Sequence, residues 1–160
     1  MGNLIVADLI PYTYEEFNDG LNILVEQIKS DEWQPDYIVG ITRGGLVPAV
    51  RLSHMLNIPL ETVKWSLRDD CQKESNCWIP EDIDAGMKVL IVDDIVDGGE
   101  TVRTLIEDWQ SSIFNRLSLD NIRICAMIVN TAQETKVHYS HIQIDRNVEP
   151  RWFDFWWETK

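Results

Sequence analysis

The sequence predicts an α/β protein: a single domain with a central, mostly parallel sheet flanked by helices. Three observations predict it. Short apolar runs of strand length alternate with stretches of helical period. Two paired-glycine turns, Gly44-Gly45 and Gly98-Gly99, each join an apolar run to a helical one. The chain has 160 residues, 44% of them hydrophobic, enough to bury one core without staples. Strands alternating with helices call for a sheet covered on both faces, and ligands of such sheets sit beyond the carboxyl ends of the strands. Both glycine turns fall at that edge.

Each element follows from its own residues. Over 14–30, Phe17, Leu21, Leu24, Val25 and Ile28 recur at spacings of three and four, which predicts an amphipathic helix. Thr13 stands three residues before Glu16, the pattern of a capping box. Pro35 breaks the chain, and 37–41 is a short apolar strand. After the Gly44-Gly45 turn, 47–56 is expected to be helical, and 59–65 a second strand. Residues 66–86 carry Asp69, Asp70, Lys73, Glu74, Asp82 and Asp84 with little periodicity. They are expected to form a long loop, and long loops in compact domains often act as lids. An apolar run at 88–92 predicts a buried strand, 100–109 a helix, 122–129 a strand and 137–144 the last strand of the core. The end is aromatic, Trp152-Phe153-Asp154-Phe155-Trp156-Trp157, and 145–160 is expected to form a small hood.

Composition narrows the partners. Fourteen basic residues face 27 acidic ones, a net charge of −13, which repels nucleic acid and anionic membranes. No apolar run approaches the roughly 20 residues that span a bilayer, and the N-terminus lacks a signal-peptide pattern. The three cysteines, Cys71, Cys77 and Cys125, have no framework spacing, which suits reduced thiols in a cytoplasm.

The chemistry concentrates in VLIVDDIVDGGET, residues 89–101. Asp93 and Asp94 adjoin at the end of an apolar run. Two adjacent carboxylates repel unless a cation or a hydroxyl-rich ligand sits between them. Asp97-Gly98-Gly99-Glu100-Thr101 then opens a helix. Glycines let backbone N–H groups turn inward, and the helix N-terminus adds partial positive charge, so Gly98 through Thr101 form an anion site suited to a phosphate. The plain alternative is a tight turn with Asp97 or Thr101 as a helix cap. Neither the triphosphate-binding loop GxxxxGK[ST] nor GxGxxG occurs.

That stretch resembles the phosphoribosyl-pyrophosphate motif of the type I phosphoribosyltransferases, in which a strand leads into two acids and then into Asp-Thr-Gly-x-Thr. Asp93 and Asp94 match the acidic pair, and Asp97 opens the loop. Gly98 stands where threonine is usual, so one hydroxyl donor is lost, and Glu100 falls at the variable position. IVGITRGGLVP, residues 38–48, resembles the pyrophosphate loop of the xanthine-guanine enzymes, with Thr42, Arg43, Gly44 and Gly45 in the matching places. The C-terminal run from Trp152 resembles the segment that covers the base in those enzymes. There Trp152 would stack on a purine and Phe153 would offer backbone groups to its edge, whereas Trp156 and Trp157 suit core closure better. Asn130 falls where that family carries a lysine that reads the 6-oxo group.

The resemblance implies transfer of a phosphoribosyl group from phosphoribosyl pyrophosphate to guanine, xanthine or hypoxanthine, with release of pyrophosphate. It implies Mg2+ held by Asp93 and Asp94, directly or through water, Asp97 as general base, and a homodimer or homotetramer. Arg68 and Lys73 of the lid are candidate pyrophosphate contacts or plain solvated charges. Two alternatives stay open: a non-catalytic nucleotide-binding regulator on the same fold, and a transferase for a different base.

Overall fold

The computed structural model describes residues 8–67 and 73–159. Arg68, Asp69, Asp70 and Cys71 lie outside the described residues. Strand β1 (Ile10–Tyr12) leads into helix α1 (Tyr14–Ser30). There follow β2 (Tyr37–Thr42), α2 (Leu46–Leu56), β3 (Leu60–Lys64), α3 (Trp78–Asp84), β4 (Val89–Val96), α4 (Glu100–Ser111), β5 (Ile122–Asn130), β6 (Tyr139–Ile144) and β7 (Phe153–Phe155).

Five strands form one sheet in the order β3-β2-β4-β5-β6, and every pairing in it is parallel. The chain enters this sheet at β2, one strand in from the edge, moves outward to β3, then returns to the other side of β2 for β4. The connections after β2 and β4 therefore leave toward opposite faces. A crevice opens where they part, the topological switch point at which open α/β sheets bind ligands. Both glycine turns sit there.

Alternation along the strands sorts the core into two layers. Tyr37, Val39, Ile41, Val89 and Ile91 face one side, where Ile79 and Ile83 of α3 and Val102, Leu105 and Trp109 of α4 pack. Ile38, Leu90 and Val92 face the other, against Phe17, Leu21, Leu24 and Ile28 of α1 and Ala49 and Leu52 of α2. The helix over 14–30 and its cap form as expected. Thr13 Oγ1 accepts from Glu16 N at 3.1 Å, and Thr13 N donates to Glu16 Oε2 at 3.0 Å. Thr13→Ala removes the first of these bonds and is expected to cost about 1 kcal/mol, read as a lower urea midpoint at unchanged slope. An unchanged midpoint would show that the cap contributes nothing.

Two elements depart from the sequence expectation. First, 66–86 is not one loop. Ile79 and Ile83, spaced as neighbours on one helical face, are both buried in α3 with Pro80. The many acids around them mask this single apolar pair. Lys64 and Glu74 also exchange backbone hydrogen bonds of 2.9 and 2.7 Å, tying the segment back to β3.

Second, β4 does not stop before the acidic pair but runs on to Val96. Beyond Val92 it has lost its partner β2, and it pairs with β5 alone. The alternation changes phase here. Val96 joins the layer of Ile91, and Val129 that of Ile124, each an odd five residues on. The acids supply the local bonding for this irregularity. Asp94 N donates to Asp93 Oδ1 at 2.9 Å, and Ile95 N donates to Asp94 Oδ1 at 2.8 Å. Side-chain oxygens thus take backbone N–H groups of the kind that strand ladders otherwise use.

The small sheet joins the two ends. β1 pairs in parallel with β7, and the aromatic C-terminus closes the layer over α1. Trp156 and Trp157 meet Phe17 edge-on at 5.6 and 5.3 Å, and Trp157 stacks on Phe155 at 4.6 Å. This is the core-closing role that the sequence suggests for the pair. Among the described residues no helix is long and apolar enough to cross a membrane. Cys77 is exposed and Cys125 buried, both as free thiols.

Candidate functional site

A cleft of about 1050 Å³ lies at the carboxyl ends of β2 and β4. The turn after β2 supplies Thr42, Arg43 and Gly44, and β4 with its turn supplies Asp93, Asp94 and the run from Asp97 to Thr101. Some fifty residues separate the two motifs in the chain. Adjacent parallel strands bring them together, since Gly40 pairs with Val92.

The contact between them is close. A Cβ added at Gly44 would lie 2.6 Å from Asp94 Cγ, so the Asp94 carboxylate occupies the space a side chain would need. Gly45 lies just behind the cleft wall, buried at the start of α2. Its missing Cβ would stand 2.6 Å from both Ile41 O and Val92 O. Here backbone meets backbone, and only glycine lets β2 turn so near β4. The Thr42–Arg43 peptide is cis, and Thr42 Oγ1 donates to Val63 O at 3.3 Å. Arg43 stands exposed at the rim.

The second turn has the backbone of an anion cradle. Gly99 is at the N-cap of α4 with φ +79°, a region other residues avoid. A Cβ there would also come within 2.5 Å of Gln133 Oε1. The first N–H groups of a helix have no acceptors within it, and Gly99 has no side chain to cap them. Gly98 differs, because a Cβ there meets nothing within 4 Å. Gly98→Thr, which restores the hydroxyl usual in the resembling motif, is therefore expected to fold normally. Its melting temperature should stay within about 2 °C of the parent, and a larger fall would show that Gly98 is needed for its backbone.

Three expected site residues stand outside the cleft wall, in a network beside it. Asn130 is buried, and its side chain is engaged internally. Nδ2 donates to Asp97 O at 3.1 Å, while Oδ1 accepts from Ala132 N and Arg146 N at 3.0 and 3.1 Å. Trp152 is half-buried under the Arg146 guanidinium, 4.7 Å from its ring centroid. Its carbonyl accepts from Ile10 N at 2.8 Å. Phe153 is buried at the start of β7, paired with Ile10.

The sequence reading misses three contributors. Arg146 Nε donates to Asp97 Oδ1 at 3.0 Å, forming an ion pair with the acid at the turn. It comes from an ordinary polar stretch with no motif to mark it. Trp65, just beyond β3, lines the cleft; its Nε1 donates to Thr104 Oγ1 at 2.9 Å, and Lys73 Nζ lies 5.0 Å from its ring centroid. An aromatic residue at the carboxyl end of a parallel strand is a signal that could have found it. Glu158 also lines the cleft, beside Trp157. Trp157 thus serves both the core and the site. Nearby, hydrogen bonds from the Arg151 side chain hold the Glu149 carboxyl down to about 2.

The geometry defines a class: an α/β protein with an acidic pair, an arginine-bearing turn and a phosphate-type cradle sharing one crevice. Residues 13–160 match the family model described as the phosphoribosyl transferase domain, and the chain belongs to the type I phosphoribosyltransferase family. It is similar to the xanthine-guanine phosphoribosyltransferase of Idiomarina loihiensis, 30% identical over 109 residues, which is 64% of this chain and 68% of that protein. The structure of a purine phosphoribosyltransferase from Pyrococcus horikoshii superposes with a TM-score of 0.71 at 26% identity, covering 96% of each chain. A Neisseria gonorrhoeae structure with bound ppGpp shares the fold, with a TM-score of 0.69 at 22% identity over 92% of this chain and 88% of that one.

Proposed function

We propose that this protein transfers the phosphoribosyl group of phosphoribosyl pyrophosphate to a 6-oxopurine (guanine, xanthine or hypoxanthine) and releases pyrophosphate, a purine-salvage reaction of the cytoplasm. The observation that carries the reading is the contact of Asp94 with Gly44. It joins the acidic pair to the arginine-bearing turn in one crevice, as a donor with a pyrophosphate at one end and a ribose beside it requires.

Each part has a physical task. The amides of Gly98, Gly99, Glu100 and Thr101, with the Thr101 hydroxyl, take the 5′-phosphate. Arg43 pairs with pyrophosphate oxygens through two N–H groups at once, and Thr42, Gly44 and Gly45 let the backbone approach. Asp93 and Asp94 orient the ribose hydroxyls or waters on the metal. Asp93 and Asp94 would hold Mg2+, directly or through water, since one or two carboxylates suit that ion. When bound, the ion neutralises charge on the leaving pyrophosphate.

The ribose carbon becomes oxocarbenium-like as pyrophosphate departs. Holding both ends in line and stabilising separated charge then provides most of the rate. Asp97 accepts the proton lost from the purine near N7. Trp152 supplies the stacking face for the base and Phe153 a backbone edge. Ser66 and Leu67, which line the cleft beyond β3, help to keep water from the cation. Lys73, whose Nζ lies 5.0 Å from the Trp65 ring centroid, is a candidate contact for the pyrophosphate or a plain solvated charge. The protein works as a homodimer or homotetramer.

Calorimetric titration with phosphoribosyl pyrophosphate, with and without Mg2+, tests the donor half. Binding in the presence of Mg2+ that weakens sharply on chelation is expected. Equal affinity after chelation would remove Asp93 and Asp94 from metal binding.

A further inference from the structure

Arg146 stands between the two halves of the proposed site. Its Nε donates to Asp97 Oδ1 at 3.0 Å, and its Nη1 donates to the Arg151 carbonyl. Its guanidinium carbon lies 4.7 Å from the centroid of Trp152 and 5.9 Å from that of Phe153. The backbone N–H of Arg146 is itself fixed by Asn130 Oδ1, and Asn130 Nδ2 holds the Asp97 carbonyl. Asp97 is therefore gripped twice, by its carbonyl from Asn130 at the end of β5 and by its carboxylate from Arg146 just after β6.

The choice of residue is informative. The Arg146 side chain is only 14% exposed, and its Nη2 is buried with no hydrogen-bond partner among the described residues. A buried donor left without an acceptor costs free energy. An unbranched apolar side chain such as methionine would cover the rings of Trp152 and Phe153 without that cost. What arginine adds is a rigid planar fork that meets a carboxylate, a carbonyl and an aromatic face at the same time.

We propose that Arg146 is a positioning residue for the acceptor half of the reaction. Acting through Asp97 and Trp152, it fixes the carboxylate that takes the proton relative to the ring on which the base stacks. The inference rests on the reading of the site given above. Asn130, in the place of the lysine expected from the resemblance, then has a structural task. It anchors both Arg146 and the Asp97 turn rather than reading the base.

The test compares ligands that differ only in the base. Ribose 5-phosphate probes the cradle, while the 5′-monophosphates of guanosine, inosine and xanthosine probe cradle and base together. In Arg146→Met, nucleotide affinity should fall by about tenfold or more, with ribose 5-phosphate affinity and thermal unfolding unchanged. Arg146→Lys keeps the charge but loses the fork, and should recover part of the loss. Equal weakening of both ligand types would mean a collapsed turn, and unchanged nucleotide binding would mean no role; either overturns the inference while the proposed function stands. A parent protein that binds ribose 5-phosphate and none of the nucleotides would instead overturn the purine reading, and this inference with it.

Discussion

Asp97→Asn is expected to lower turnover by about a hundredfold to ten-thousandfold, the usual contribution of a positioned general base, while leaving the affinity for phosphoribosyl pyrophosphate unchanged. The substitution is nearly isosteric. It keeps the backbone carbonyl that Asn130 Nδ2 holds at 3.1 Å, and the amide oxygen still accepts from Arg146 Nε. The turn that carries Gly98 to Thr101 thus retains its backbone anchor at Asn130, and the phosphate cradle stays formed. The ability to take a proton is lost, together with the charge that pairs with Arg146. Pyrophosphate release measures the first effect and calorimetry the second. Full activity in the variant would remove Asp97 from the mechanism.

Gly45→Ala carries the largest expected effect on stability. The added Cβ would stand 2.6 Å from Ile41 O, 2.6 Å from Val92 O and 2.9 Å from Asp93 Cα. All three are backbone atoms of the two strands that flank the crevice, so no side chain can swing aside. Relief requires that β2 and β4 separate at the switch point, which opens both core layers. Overpacking of this kind is expected to cost about 3 kcal/mol or more. For a chain of this size that lowers the melting temperature by about 6–12 °C. A loss under about 1 kcal/mol would show that the crevice is softer than its contacts imply. Gly98, with open space where its Cβ would be, serves as the matched control.

The same contrast explains what the chain reveals of itself. Apolar periodicity in 14–30 and in the strands reports burial directly, so the alternation of strands and helices around a parallel sheet was legible. The strand-to-helix turns were legible because glycine and aspartate are needed there for backbone reasons that leave a local pattern. α3 was not legible, because one buried pair, Ile79 and Ile83, sits among acids and anchors the helix through tertiary packing alone. The run of β4 past Asp93 and Asp94 was hidden for a different reason. Aspartate has poor strand propensity, yet here its own oxygens take up the backbone N–H groups. Arg146 could not be found locally, since its meaning depends on Asp97 forty-nine residues earlier and on a ring six residues later. The aromatic end was legible as a cluster, but not in how its rings divide between core and cleft.

Pyrophosphate release from phosphoribosyl pyrophosphate and Mg2+, measured with guanine, xanthine, hypoxanthine, adenine and uracil in turn, tests the central claim most directly. Stoichiometric pyrophosphate and nucleoside 5′-monophosphate with one or more of the three 6-oxopurines, and neither product with adenine or uracil, is the predicted result. Tight donor binding with no turnover on any base would contradict the claim and make the protein a nucleotide-binding regulator on the same fold.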